Sequence, residues 1–166
     1  MYVKTPVVAV IAVIVLIAGC GQSTQPTATT QAMNPLSRAV ASEQPELVVY
    51  KNASCGCCKV WVDHMRKHGF AAKVHDVDNM SSIKERVGIP HGVGSCHTAE
   101  VGGYFIEGHV PAEQVARLLK EKPKAKGLTV PGMPIGSPGM EQGDTVQPYE
   151  VHLVHPDGTT SVYAKY

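Results

Sequence analysis

The run Cys55-Gly56-Cys57-Cys58 places three thiols within four residues, directly after the apolar stretch Leu47-Val48-Val49-Tyr50. A structural disulfide framework needs cysteines separated enough for loops to close between them. Adjacent Cys57 and Cys58 cannot pair without a strained ring, and Cys55–Cys58 is the only easy local bridge. Thiolates are the ligands of soft metals and also the nucleophiles of disulfide exchange. A further thiol, Cys96, stands beside His97 in Ser95-Cys96-His97-Thr98. The chain points to thiol or soft-metal chemistry, and its fold has to account for these sulfurs.

The N-terminus sets the compartment. Lys4 supplies a short positive region, and Val7 to Ala18 is almost wholly aliphatic. At about a dozen residues this run is shorter than the roughly 20 a membrane-spanning helix needs, and it reads as the apolar region of a signal peptide, residues 1–19. Ile17-Ala18-Gly19-Cys20 resembles the lipobox of bacterial lipoproteins, which implies cleavage before Cys20 and a lipid on its sulfur; the alternative is an uncleaved anchor. Gly21 in place of Asp at the next position resembles outer-membrane rather than inner-membrane sorting. Residues 20–45 are rich in Gln, Ser, Thr, Ala and Pro, with too few large apolar side chains to offset the entropy of ordering, and read as a disordered tether. Residues 46–166 remain, about 120 residues, enough for one domain with a hydrophobic core. The net charge of +1 and the absence of a basic cluster give nucleic acid little support as a partner, and none is expected.

Leu47 to Lys51 reads as a buried strand. From Cys57 to His68 the period becomes helical, with Cys58, Trp61, Val62 and Met65 on one face and Gly69 at the terminating position. Ala72 to Asp78 reads as a second strand, and Ser82-Ile83-Lys84-Glu85 as a capping box opening a short helix that stops before Pro90. Thr98 to Ile106 forms a hairpin about Gly102-Gly103. Pro111 opens a helix carrying Val115, Leu118 and Leu119 inward, and Lys120 to Gly127 ends it. A Gly/Pro-rich loop runs from Val130 to Pro148, followed by a closing hairpin, Tyr149 to Ala164, about Pro156-Asp157-Gly158. This order predicts an α/β fold: a thioredoxin-like βαβ-ββα core with a C-terminal β-hairpin extension. There the Cys motif lies where the first strand enters the first helix, and unpaired amides at a helix N-terminus favour an anionic sulfur. The loop before the hairpin faces the same place, which brings Cys96 within reach.

Three readings of the thiols stay open. Cys55 and Cys58 have the Cys-x-x-Cys spacing of a metal-free thiol–disulfide oxidoreductase, with Cys55 attacking and Cys58 resolving. Spare thiolates beyond a dithiol suit bridged Cu(I). A tetrahedral zinc site from Cys55, Cys57 or Cys58, Cys96 and His97 is the third, although zinc spacing normally avoids adjacent ligands. Met133 and Met140, on the Gly/Pro loop, are either cover for the domain or thioether ligands in a lid. The other histidines have ordinary places: His68 at a helix end, His64 off the apolar face, His75 on a strand, His152 and His155 on the closing hairpin. His91 and His109 flank the central hairpin and are weaker candidates.

From Leu47 to the Met loop the chain resembles the CopG-type periplasmic copper-resistance family, long listed as a metal-binding domain of unknown function. The matching elements are Cys55-Gly56-Cys57-Cys58 with Lys59 and Trp61, Ser95-Cys96-His97-Thr98, Glu107-Gly108-His109-Val110-Pro111, and Gly132-Met133-Pro134 to Gly139-Met140. The resemblance implies a thioredoxin-like fold and a thiolate-bound copper site outside the cytoplasm, with Cys55, Cys57, Cys58 and Cys96 as ligands. It also implies copper buffering, transfer or redox interconversion, with periplasmic copper-resistance proteins as partners. The lipobox adds the expectation that this member is tethered to the cell envelope facing the periplasm.

Overall fold

The computed structural model describes residues 45–166. The expected leader, Cys20 and the tether up to residue 44 lie outside the described residues. The elements are β1 (Leu47–Lys51), α1 (Gly56–Lys67), β2 (Ala72–Asp76), α2 (Met80–Val87), β3 (His97–Val101), β4 (Tyr104–Glu107), α3 (Ala112–Glu121), β5 (Gly127–Thr129), β6 (Glu150–Val154) and β7 (Thr160–Lys165). All strands share one sheet in the order β2-β1-β3-β4-β5-β6-β7. β1 pairs in parallel with β2 and antiparallel with β3, and β3 continues antiparallel into β4. This is the expected thioredoxin-like core. Among the described residues no helix is long and apolar enough to cross a membrane.

The C-terminal hairpin extends the same sheet through β5, which pairs in parallel with β4 and antiparallel with β6. Sequence reasoning placed no strand there, because three residues, Gly127-Leu128-Thr129, are too few to display an alternating pattern. All three are nonetheless buried. Two helix starts also differ from expectation. α2 begins at Met80 with Asn79 as its cap, the Asn79 side chain accepting from the Ser81 amide at 3.0 Å. Asn caps at least as well as Ser, so the earlier residue prevails over the Ser82 box. Pro111 is the capping residue of α3 and not part of its first turn. It has no side-chain oxygen to offer, and the Ala112 amide donates instead to His64 Nε2 at 3.1 Å.

α1 buries the face its periodicity announced: Cys58, Trp61, Val62 and Met65. Strand alternation then separates the two sides of the sheet. Leu47 and Val49 of β1 and Ile106 of β4 belong to the core with Trp61, Val62, Met65, Val115 and Leu118 from α1 and α3. Tyr50 and Thr98, paired across β1 and β3, face the other side, where α2 lays Arg86 over the Tyr50 ring and Lys84 against Thr98. His97, one residue along from Thr98, therefore turns back towards α1, and its ring lies 4.4 Å from that of Trp61.

Trp61 is fully buried and its indole N–H donates to the Val110 carbonyl at 2.9 Å, tying α1 to the chain entering α3. Trp61→Phe keeps much of the apolar volume but leaves that carbonyl unpaired, and is expected to lower unfolding free energy by about 1–3 kcal/mol in a denaturant titration.

Candidate metal centre

Cys55 caps α1, and its Sγ accepts a hydrogen bond from the Cys58 amide at 3.3 Å. The motif thus wraps the first turn of the helix, where amide N–H groups lack carbonyl partners. Cys55 and Cys58 are joined by a disulfide with Cα atoms 5.4 Å apart, while Cys57 and Cys96 are free thiols. Cys96 enters from the loop ahead of β3. Its Sγ lies 3.5 Å from that of Cys58 and 4.0 Å from that of Cys57, and Cys57 Sγ lies 3.5 Å from Cys55 Sγ. All four sulfurs fall within 4.8 Å of one another. Cys58 is buried and the other three are partly exposed.

A second set shares Cys96. His97 Nδ1 lies 3.4 Å and His109 Nε2 3.1 Å from Cys96 Sγ. Cys96, His97 and His109 could together hold a metal ion, as could the four cysteines. Both imidazoles are fully buried and meet edge to face at 5.0 Å. His109 Nδ1 donates to the Pro138 carbonyl at 2.8 Å, since a carbonyl can only accept. Burial lowers the His109 pKa, so the ring is neutral near pH 7. The Pro138 contact then leaves the Nε2 lone pair directed at Cys96 Sγ, the arrangement in which a carbonyl fixes the tautomer of a ligating histidine. Burial, followed by the neighbouring His109 and Lys84, pushes His97 well below the usual histidine range. Its Nε2 has no hydrogen-bond partner.

Sequence reasoning ranked His109 below His97 and left it out of the ligand set. Its signal was its place in Glu107-Gly108-His109, where Gly108 takes φ +74° and lets the chain turn sharply out of β4. A Cβ at Gly108 would lie 2.7 Å from the Val130 carbonyl and 2.6 Å from Ser95 Cβ. Met133 is half exposed and Met140 partly buried. Their loop packs on the motif at Gly139, where a Cβ would meet the Cys57 carbonyl at 2.7 Å and the Trp61 amide at 2.9 Å. The remaining histidines stand elsewhere. His64 and His68 pair their rings on α1, His75 stacks on Tyr50, His91 is exposed, His152 approaches Glu150, and His155 bonds Ser161.

Burial, reinforced by Cys57, raises the Cys96 thiol to about 11. The folded protein thus holds this proton more tightly than an unfolded chain does. The resulting stability is complete below an ordinary thiol's value of 9.0 and is lost as pH rises to about 11. In metal-free protein with the disulfide intact, Cys96 alkylation is expected to be slow at neutral pH and to keep climbing towards about pH 11. Gly139→Ala, at φ +87° and against α1 backbone, is expected to push the Met loop off the motif and free His109 from Pro138, read as an upfield-shifted, faster-exchanging His109 ring N–H by NMR.

A family model described as a protein of unknown function, DUF411, matches residues 93–140. No curated protein sequence matches the chain. Two solved structures described as copper resistance protein CopG, form 2 and form 1, are each 44% identical to it and cover 75% of this chain. The matches span 99% and 98% of those chains, with TM-scores of 0.72 and 0.71.

Proposed function

The chain belongs to the CopG family of copper resistance proteins, and on that ground we propose that it binds Cu(I) outside the cytoplasm through Cys55, Cys57, Cys58 and Cys96. The observation that carries this reading is the convergence of four sulfurs within 4.8 Å, with two neutral imidazoles beside Cys96. Thiolate sulfur selects Cu(I) among the available ions, and low-coordinate Cu(I) accepts sulfurs that bridge. The donor set fits copper better than a single zinc, which takes four separate tetrahedral ligands. His109, with its lone pair already oriented, is the imidazole best placed to join the set; His97, Met133 and Met140 remain candidate ligands. The cargo would be buffered, passed on or changed in oxidation state, with other extracytoplasmic copper-resistance proteins as donors and acceptors. Attachment to the envelope through Cys20 belongs to the same proposal.

The disulfide makes copper capacity depend on redox state. Two electrons and two protons from an extracytoplasmic thiol reductant convert Cys55–Cys58 to two thiols and complete the ligand set. In the reverse sense, oxidation of one thiol pair releases two electrons and two protons, enough to take two Cu(II) to Cu(I).

A metal-free oxidoreductase is the second reading, favoured by the Cys-x-x-Cys disulfide at the start of α1. Internal exchange is not what the arrangement suits. An attacking sulfur must approach along the extension of the S–S bond. With a bond of about 2.05 Å and contact at 3.5 Å, that places it roughly 5.5 Å from the far sulfur. The compact cluster keeps every pair within 4.8 Å, a spacing for bridging and not for in-line displacement.

An anaerobic Cu(I) titration of reduced protein against a competing chelator tests the proposal, with Zn(II) in parallel. More than one tightly held Cu(I) per chain is expected, with the capacity reduced by Cys57→Ser or Cys96→Ser and by leaving the disulfide oxidised. Uptake indifferent to both substitutions, together with disulfide turnover abolished by Cys55→Ser, would transfer the case to the second reading. Unfolding on chelation would point to structural zinc.

A further inference from the structure

Glu107 is fully buried at the end of β4, on the side of the sheet opposite α1. A buried carboxylate is retained only where charge and hydrogen bonds compensate its lost hydration. Here Lys84 of α2 forms the ion pair and also donates to Thr98 Oγ1 at 3.1 Å. Thr98 Oγ1 donates to Glu107 Oε2 at 2.6 Å. The remaining donor is the backbone amide of Ser95, 2.6 Å from Oε1. Ser95 immediately precedes Cys96, so a charge-assisted bond, among the stronger kinds in a protein, ends one residue from the sulfur.

We propose that Glu107 is a positioning residue for Cys96: through the Ser95 amide, its Lys84-paired carboxylate holds the loop so that Cys96 Sγ stands between the α1 thiols and His109. The carboxylate touches no sulfur and acts across the sheet. The same loop has weaker ties on its other flank, among them the Gly132 amide donating to the Gly94 carbonyl at 3.4 Å. Thr129 Oγ1 donates to the Val93 carbonyl at 2.6 Å, and Ser95 Oγ donates to the Gly132 carbonyl at 2.5 Å. These ties come from an uncharged stretch of chain, so among the described residues Glu107 is the only ionic anchor of the Cys96 loop. Cys57 is held independently by α1, which makes it an internal reference.

The inference concerns the metal-free protein and so stands apart from the copper reading. The test compares two charge-neutral variants with wild type. Lys84→Met/Glu107→Leu removes every acceptor from the Ser95 amide, whereas Lys84→Met/Glu107→Gln keeps one carbonyl oxygen for it. With the disulfide intact, alkylation of Cys96 relative to Cys57 is followed by mass spectrometry. The Leu variant is expected to raise the Cys96-to-Cys57 ratio about tenfold or more, the change in open population that losing one charge-assisted bond produces, and the Gln variant to restore most of it. A general loss of stability would lower the melting temperature of both without separating their ratios. Equal ratios in the two variants, at whatever level, overturn the proposal. If either variant fails to fold, amide hydrogen exchange on the unaltered protein decides. Ser95 protected like the neighbouring β3 amides supports the anchor, and exchange at the rate of an exposed loop amide refutes it.

Discussion

Parallel strands cannot be joined by a tight turn, so the β1–β2 pair requires a crossover, and α1 supplies it. The N-terminus of that helix must then sit just beyond the C-terminal end of β1. β3 runs antiparallel to β1 in a register that sets His97 opposite Lys51, so the chain entering β3 arrives at the same end of the sheet. These two pairings alone bring residues 55–58 and residue 96 together. Everything else at the site is refinement of that meeting: the cap on Cys55, the turn at Gly108 that delivers His109, and the loop that Gly139 seats on α1.

The strand period adds a second consequence. Because neighbours on β3 point to opposite faces, His97 joins Trp61 on one side while Thr98 joins Lys84 and Glu107 on the other. The apolar, thiol-bearing side and the buried ionic side are therefore different faces of the same short stretch. A carboxylate can fix the Cys96 loop without adding negative charge next to sulfurs that must themselves become anionic.

Much of this was legible before the structure. The inward face of α1 follows from spacing, the central hairpin from Gly102-Gly103, and the approach of Cys96 from topology. What escaped has identifiable causes. β5 is three residues long and gains its strand character from the neighbours on either side, not from its own pattern. The start of α2 differs from expectation because the Asn79 side chain accepts from the Ser81 amide and caps the helix ahead of the Ser82 box. His109 lies in a motif that was visible, but its neutral state and the orientation of its lone pair are set by burial and by Pro138, 29 residues away. Glu107 gave no hint of burial, since a lone acidic residue after an apolar strand ordinarily faces water.

The electrostatics of the site explain why one set of sulfurs supports both metal and redox readings. Burial raises the Cys96 thiol and lowers both imidazoles, so each shift favours the uncharged form. At neutral pH neither His97 nor His109 offers a cation beside the free thiols to stabilise a thiolate. Charge separation has to be compensated from outside, either by a cation that displaces the protons or by oxidation that removes them with electrons. A soft monovalent ion does the first with little desolvation penalty and with sulfur as its preferred partner. Disulfide formation does the second, and it has done so for Cys55 and Cys58. The two outcomes compete for the same atoms, so the reduction state of one bond governs how many donors the pocket presents to metal.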